Sequence, residues 1–143
     1  MSLIPGTPGP DNLNGTSEAD TIDGGEGNDT LLGFQGADSI LGGGGDDILR
    51  GGDGSIYGGE SSPDTLDGGL GADSMYGGDG DDLYIVDNAG DLVEEYDGAG
   101  GVDSVQASVS YTLTPWIENL NLTGNAITGT GNALNNVLTG SDG

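Results

Sequence analysis

One aliphatic residue recurs every nine positions through the first third of the chain: Leu13, Ile22, Leu31, Ile40 and Leu49. Each sits inside a short triplet, as in Asn12-Leu13-Asn14 and Thr21-Ile22-Asp23. Successive side chains of an extended chain point to opposite faces, so such a triplet is a minimal strand with its middle residue facing in. The six residues between triplets are rich in glycine and aspartate, which is turn chemistry. The pattern predicts turn, strand, turn, strand. Two nine-residue units then close one coil of eighteen residues, and turns two units apart stack on the same edge.

With glycine as position 1, aspartate falls at position 6 and the aliphatic residue at position 8. Units begin at Gly6, Gly15, Gly24, Gly33, Gly42 and Gly51, placing Asp11, Asp20, Asp29, Asp38 and Asp47 at position 6. From Gly51 the register falters: "GGDGSIY" has seven residues and lacks the aspartate, and "GGESSPDTLD" has ten. Read as two units they make a coil one residue short, which puts the turns shared with Asp38 and Asp73 in question, Asp53 being the substitute at hand. The period resumes from Gly68 and Gly77, giving Asp64, Asp73 and Asp82. Fainter units from Val86 (Asp91, Val93) and, after three extra residues, from Gly98 (Asp103, Val105) follow.

Beyond them, Val105, Ala107, Val109, Tyr111 and Leu113 alternate with polar residues as one strand, ended by Pro115. The tail changes composition. "GNALNNVLTGSDG" from Gly131 aligns without a gap on "GTSEADTIDGGEG" from Gly15, with Asn136 in the place of Asp20 and Leu138 in that of Ile22. The chain therefore reads as a segment of a longer tandem protein. The expected organisation is a repeat unit over 6–85 and a degenerate solenoid continuation over 86–143 that ends as a new block begins.

Composition narrows the chemistry. The 143 residues include 32 glycines, and 25 acidic side chains face a single basic one, Arg50, for a net charge of −24. Without a counter-charge such a chain is an unfolded polyanion. It has no basic surface for nucleic acid or for an anionic membrane. No apolar run reaches the roughly 20 residues of a spanning helix, and no signal-peptide pattern is visible; the opening Met-Ser-Leu reads as a cloning remnant. With neither cysteine nor histidine, the plentiful metal ligands are carboxylates and backbone carbonyls. These hard oxygen donors suit calcium. Parallel strands stack about 4.8 Å apart, close to twice the calcium–oxygen distance of about 2.3–2.6 Å and too wide for magnesium.

Over Gly6 to Ile85 the chain resembles the RTX (hemolysin-type) calcium-binding repeats, whose unit is G-G-x-G-x-D-x-U-x; "GGEGNDTLL" and "GGDGDDLYI" are the most specific matches. The segments "SVSYTL" and "ENLNLTG" are similar to spacers of large bacterial RTX proteins. The resemblance implies an all-β, right-handed parallel β-roll with calcium ions between stacked turns, type I secretion, and folding triggered by extracellular calcium. It also implies the ligand set. Carbonyls of positions 2 and 4 and the position 6 carboxylate of one turn meet positions 1, 3 and 6 of the next. Carried over, Gly25, Gly27 and Asp29 face Gly42, Gly44 and Asp47. The pairs Asp11 with Asp29, Asp20 with Asp38 and Asp64 with Asp82 follow. Gly36, Gly43, Gly45, Gly69, Gly71, Asp73, Gly77, Gly78, Asp79 and Gly80 complete the cages. Thr16 and Glu18 stand where glycines belong, and the tail, with asparagine for aspartate, is expected to bind no calcium.

Other readings weigh less. A flexible linker has no reason to keep an inward column in register. Acidic pairs such as Asp46/Asp47, Asp81/Asp82 and Glu94/Glu95 point apart on a turn, so no catalysis is expected. Trp116 reads as the anchor of a local core rather than a sugar platform, and Tyr57, Tyr76, Tyr84 and Tyr111 as packing groups. Expected partners are calcium, the other domains of a secreted parent and, in a rival adhesive reading, extracellular polysaccharide.

Overall fold

A computed structural model of the chain describes residues 1–52, 61–96, 101–125 and 128–141. Asp53 and Tyr57 lie outside the described residues. The described chain is all strand and turn, without a helix. In chain order the strands are β1 (Leu3–Pro5), β2 (Asn12–Asn14), β3 (Thr21–Glu26), β4 (Thr30–Leu32), β5 (Ser39–Gly44), β6 (Ile48–Arg50), β7 (Thr65–Leu70) and β8 (Ser74–Tyr76). They continue as β9 (Leu83–Val86), β10 (Leu92–Glu94), β11 (Ser104–Ala107), β12 (Tyr111–Thr112), β13 (Asn119–Leu122), β14 (Gly129–Thr130) and β15 (Val137–Thr139).

Odd-numbered strands β1 to β15 form one eight-stranded wall, and β2, β4, β6, β8 and β10 form the facing one. All pairings in both walls are parallel. The result is a parallel β-solenoid of about seven turns. Alternation dictates this. Ile22, Leu31, Ile40, Leu49, Leu66, Met75, Tyr84, Val93 and Val105, all at position 8, are buried in one core between the walls. Leu13 packs partly buried against it.

Register steps reveal where the repeat departs from eighteen. Ile22 pairs with Ile40, but Ile40 pairs with Leu66 and Leu49 with Met75, steps of 26 residues. The excess, 26 − 18 = 8 residues, falls between Gly52, which donates its N–H to the Gly77 carbonyl, and Asp64, whose N–H donates to Asp82. Residues 51–67 are therefore not two short units but one unit carrying eight more residues. Gly51 holds position 1, donating its N–H to the Tyr76 carbonyl (2.9 Å) as Gly33 does to that of Arg50 (2.9 Å). Asp64 holds position 6. The physical reason is core continuity, since this phase keeps Leu66 and Met75 each in its own inward column.

Two further expectations change. The strand expected over 105–113 is broken into β11 and β12, which belong to different sheets, with a bend between them. Its inward face survives the corner: Val105, Ala107 and Leu113 are buried, and Val109 and Tyr111 pack partly buried against the core. Trp116 is not a core anchor. It is 42% exposed and sits at φ 72°, a left-handed conformation that turns its side chain off the inward column. Ile117, next along, takes the buried place. Of the described tyrosines only Tyr84 is fully buried, while Tyr76 lies on the outer face with the Arg50 guanidinium 4.6 Å from its ring centroid.

Candidate metal centre

Position 6 builds two side-chain ladders along the solenoid edges. One runs Asp11, Asp29, Asp47, Asp73, Asp91 and the other Asp20, Asp38, Asp64, Asp82, Asp103. In each, the backbone N–H of one aspartate donates to Oδ1 of the aspartate one coil later, at 2.7–3.2 Å. Asp38 thus stacks on Asp64 and Asp47 on Asp73, so both ladders run unbroken past the irregular unit at 51–67. Every rung except Asp11 is buried.

The second oxygen divides the turns into two kinds. Where position 2 is Thr, as at Thr7 and Thr16, its N–H and hydroxyl both donate to Oδ2 of Asp11 or Asp20, at 2.6–2.9 Å. These contacts, the Thr16 hydroxyl foremost, hold the Asp20 carboxyl below its ordinary range. The backbone N–H groups of Asp87 and Asn88 donate to Asp91 Oδ2, and the Asn132 N–H donates to Asn136 Oδ1 in the tail. In the glycine turns, Oδ2 of Asp29, Asp47 and Asp73 is buried with no hydrogen-bond partner. An unsatisfied buried carboxylate oxygen is costly. Burial raises the Asp47 carboxyl, and burial with the nearby Asp91 and Asp47 charges pushes Asp73 up to about 6.

Carbonyl oxygens meet those carboxylates. The Gly25 and Gly27 carbonyls face Gly43 and Gly45 one coil on, and those of Gly43 and Gly45 face Gly69 and Gly71. In return, the Gly42 carbonyl points back to Gly24, where Asp29 Oδ2 already lies; a Cβ at Gly24 would stand 2.6 Å from it. The same cradle recurs at Gly42, between Asp47 Oδ2 and the Gly68 carbonyl. Position 2 and 4 oxygens therefore point forward, position 1 oxygens point back, and charged and neutral oxygens converge where only a hydrogen atom fits. That donor set suits a hard divalent cation such as calcium.

The other expected residues take unequal places. The Gly44 carbonyl accepts the Gly27 N–H at 2.6 Å, leaving one lone pair. Gly36 lies against the Glu18 backbone, and the Gly80 carbonyl faces Gly101. Gly77 sits beside Asp82 and the Tyr84 hydroxyl, Gly78 approaches Gly52, and Asp79 is half-buried at position 3. Oδ2 of Asp11 and Asp20 is already engaged by threonine.

One constellation lay beyond the periodic reading. Oxygens of Asp82, Glu95 and Asp103, all buried, lie within 4.8 Å of one another. Glu95 stands eighteen residues after Gly77, at position 1, so its side chain occupies the layer that glycine elsewhere leaves open. Its Oε1 accepts the Tyr84 hydroxyl, which in turn accepts the Gly77 N–H at 2.7 Å. Burial, then the Asp103 and Asp82 charges, pushes Glu95 up to about 8; burial pushes Asp103 up to about 7. Counting eighteen from Gly77 was the available signal.

Comparison with known proteins agrees with this geometry. The profile of the RTX calcium-binding nonapeptide repeat matches in four copies, over residues 5–33, 35–55 and 58–93, more than half of the chain. Neither the curated proteins nor the solved structures give a match. The chain belongs to the family of RTX calcium-binding nonapeptide repeats.

Proposed function

We propose that this chain is a calcium-dependent folding module of a larger secreted bacterial protein. Calcium ions sit between stacked glycine turns, held by the position 6 aspartates and by carbonyls of positions 1 to 4. When bound, the metal supplies the positive charge that the ladders lack. The chain's own residues do the rest: glycines aim carbonyls across the gap, aspartates tie consecutive coils, and the position 8 column closes behind them. With one apolar residue per nine and a charge of −24, the polypeptide stays unfolded at the submicromolar calcium of a cell interior and folds in the millimolar calcium outside. That sequence of states lets it thread an exporter and prevents its return. Residues 6–85 carry the calcium sites, and 86–143 continue the right-handed solenoid toward a further block. The module has no catalytic part, and the parent's other domains are its partners.

The observation that supports this most directly is the buried Oδ2 of Asp29, Asp47 and Asp73, which no protein donor satisfies. The test is calcium stoichiometry by equilibrium dialysis on the whole chain and on Asp47→Asn. Asparagine keeps an acceptor for the Asp29 N–H but removes the charge, so up to two ions should be lost, one from each face of that turn. Unchanged stoichiometry would count against the assignment.

A second reading, an adhesive saccharide-binding module, is favoured by Trp116. It is exposed and lines a cleft of about 270 Å³ with Tyr96, Glu94 and Thr114. Quenching of this single tryptophan by soluble polysaccharide would support it.

A further inference from the structure

We propose that Asp82, Glu95 and Asp103 form one additional calcium site, built from three side chains at the coil where the glycine pattern lapses; it rests on the calcium reading above. Three observations carry it. Their carboxylate oxygens lie within 4.8 Å of one another, and a calcium ion at about 2.3–2.6 Å from each spans that distance. All three residues are at most 8% exposed. The third is Glu95 Oε2, which is buried and has no hydrogen-bond partner.

The Gly78 and Tyr96 N–H groups lie toward the Glu95 carboxylate, yet neither makes a hydrogen bond to Oε2, which leaves a cation as the group that completes that oxygen. Tyr84 donates its one hydroxyl proton to Glu95 Oε1 and uses an oxygen lone pair for the Gly77 N–H, so it has no further proton to give Oε2. Asp103 Oδ1 accepts the Asp82 N–H at 2.9 Å. The Asp103 N–H goes to the Glu118 carboxylate at 2.9 Å, bringing a fourth acid to the edge of the site. Arg50, the chain's one basic side chain, is engaged with Tyr76 on the outer face. One proton neutralises one of three buried carboxylates, whereas a divalent ion neutralises two and accepts an oxygen from each. The site differs from the glycine turns in recruiting a position 1 side chain where they offer a position 1 carbonyl.

The experiment measures calcium stoichiometry of the whole chain by equilibrium dialysis for the native protein, Glu95→Gln and Asp47→Asn, with calcium chloride as the probe. The expected result is one ion fewer, or one ion at least tenfold weaker, in Glu95→Gln, alongside the separate loss in Asp47→Asn. If Asp47→Asn loses ions and Glu95→Gln keeps the native number and affinity, this inference is overturned while the module's calcium reading stands. If the native chain binds none, both fall. Terbium(III) luminescence keeps the test open should Glu95→Gln not fold. An ion in this cluster lies beside Tyr84, so Tyr84→Phe should remove part of the tyrosine-sensitised emission of the terbium-loaded chain. Emission unchanged by that substitution would contradict the site.

Discussion

Gly43 is the residue at which the stacked-turn geometry can be tested most sharply by a single methyl group. It sits at φ 108° in β5, paired with Gly25 on one side and Gly69 on the other. An alanine Cβ there would overlap the Gly25 carbonyl oxygen, which belongs to the backbone of the neighbouring coil and cannot rotate away. Holding an L-residue in that region costs about 1–3 kcal/mol, and displacing a packed backbone adds about 1–3 kcal/mol. Gly43→Ala should therefore destabilise the calcium-saturated solenoid by about 2–6 kcal/mol. Gly44 is the matched control. Its φ lies outside the left-handed region, its partners in the ladder are Glu26 and Leu70, and its Cβ would first meet the Glu26 carboxylate at 3.1 Å. Gly44→Ala should stay within about 0.5 kcal/mol of native. In urea unfolding followed by circular dichroism, with a slope of about 2 kcal/mol/M, the Gly43 variant should unfold about 1–3 M earlier than the control. Equal midpoints for the two variants would refute the stacking.

Phe34 holds position 2 at φ 77°, where neighbouring units use glycine; Phe34→Gly should raise stability by up to about 1 kcal/mol, read as a higher thermal midpoint in calcium. Thr16→Val removes the hydroxyl donor at 2.7 Å to Asp20 Oδ2 and should cost about 1 kcal/mol without altering calcium stoichiometry. In the metal-free chain, Asp73, Asp103 and Glu95 have folded values raised to about 6, 7 and 8, chiefly by burial. The folded state then holds more protons than the unfolded one, so acid favours folding and the advantage is lost as pH climbs from about 4 to about 8. Circular dichroism without metal should accordingly show more β-structure at pH 5 than at pH 8, and the opposite trend would contradict the raised values.

What was legible in the sequence followed from period alone. A nine-residue repeat with one inward residue dictates the coil, the two walls and the two aspartate ladders, and the three extra residues before Asp103 appear as the 21-residue step from Tyr84 to Val105. The eight-residue excess between Gly52 and Asp64 was not legible, because Gly51-Gly52 and Gly58-Gly59 both look like the start of a unit. Only strand pairing decides between them. Trp116 and Phe34 escaped for another reason: each takes a left-handed backbone with a bulky side chain, a choice the surrounding fold imposes against local preference. Glu95 was hidden because the repeat assigns position 1 to glycine, so a carboxylate there reads as a lapse rather than as a donor. The tail's phase was only half visible: Leu120 lies fifteen residues after Val105, yet Leu138 falls eighteen after Leu120, and Asn132 caps Asn136 as Thr16 caps Asp20.

The central claim is that folding and calcium binding are one event. Far-UV circular dichroism of the chain in chelator-treated buffer, titrated with calcium and separately with magnesium, tests it directly. At pH 8, a cooperative coil-to-β transition with calcium alone is the predicted result; a spectrum already rich in β-structure at that pH before any metal is added would contradict it.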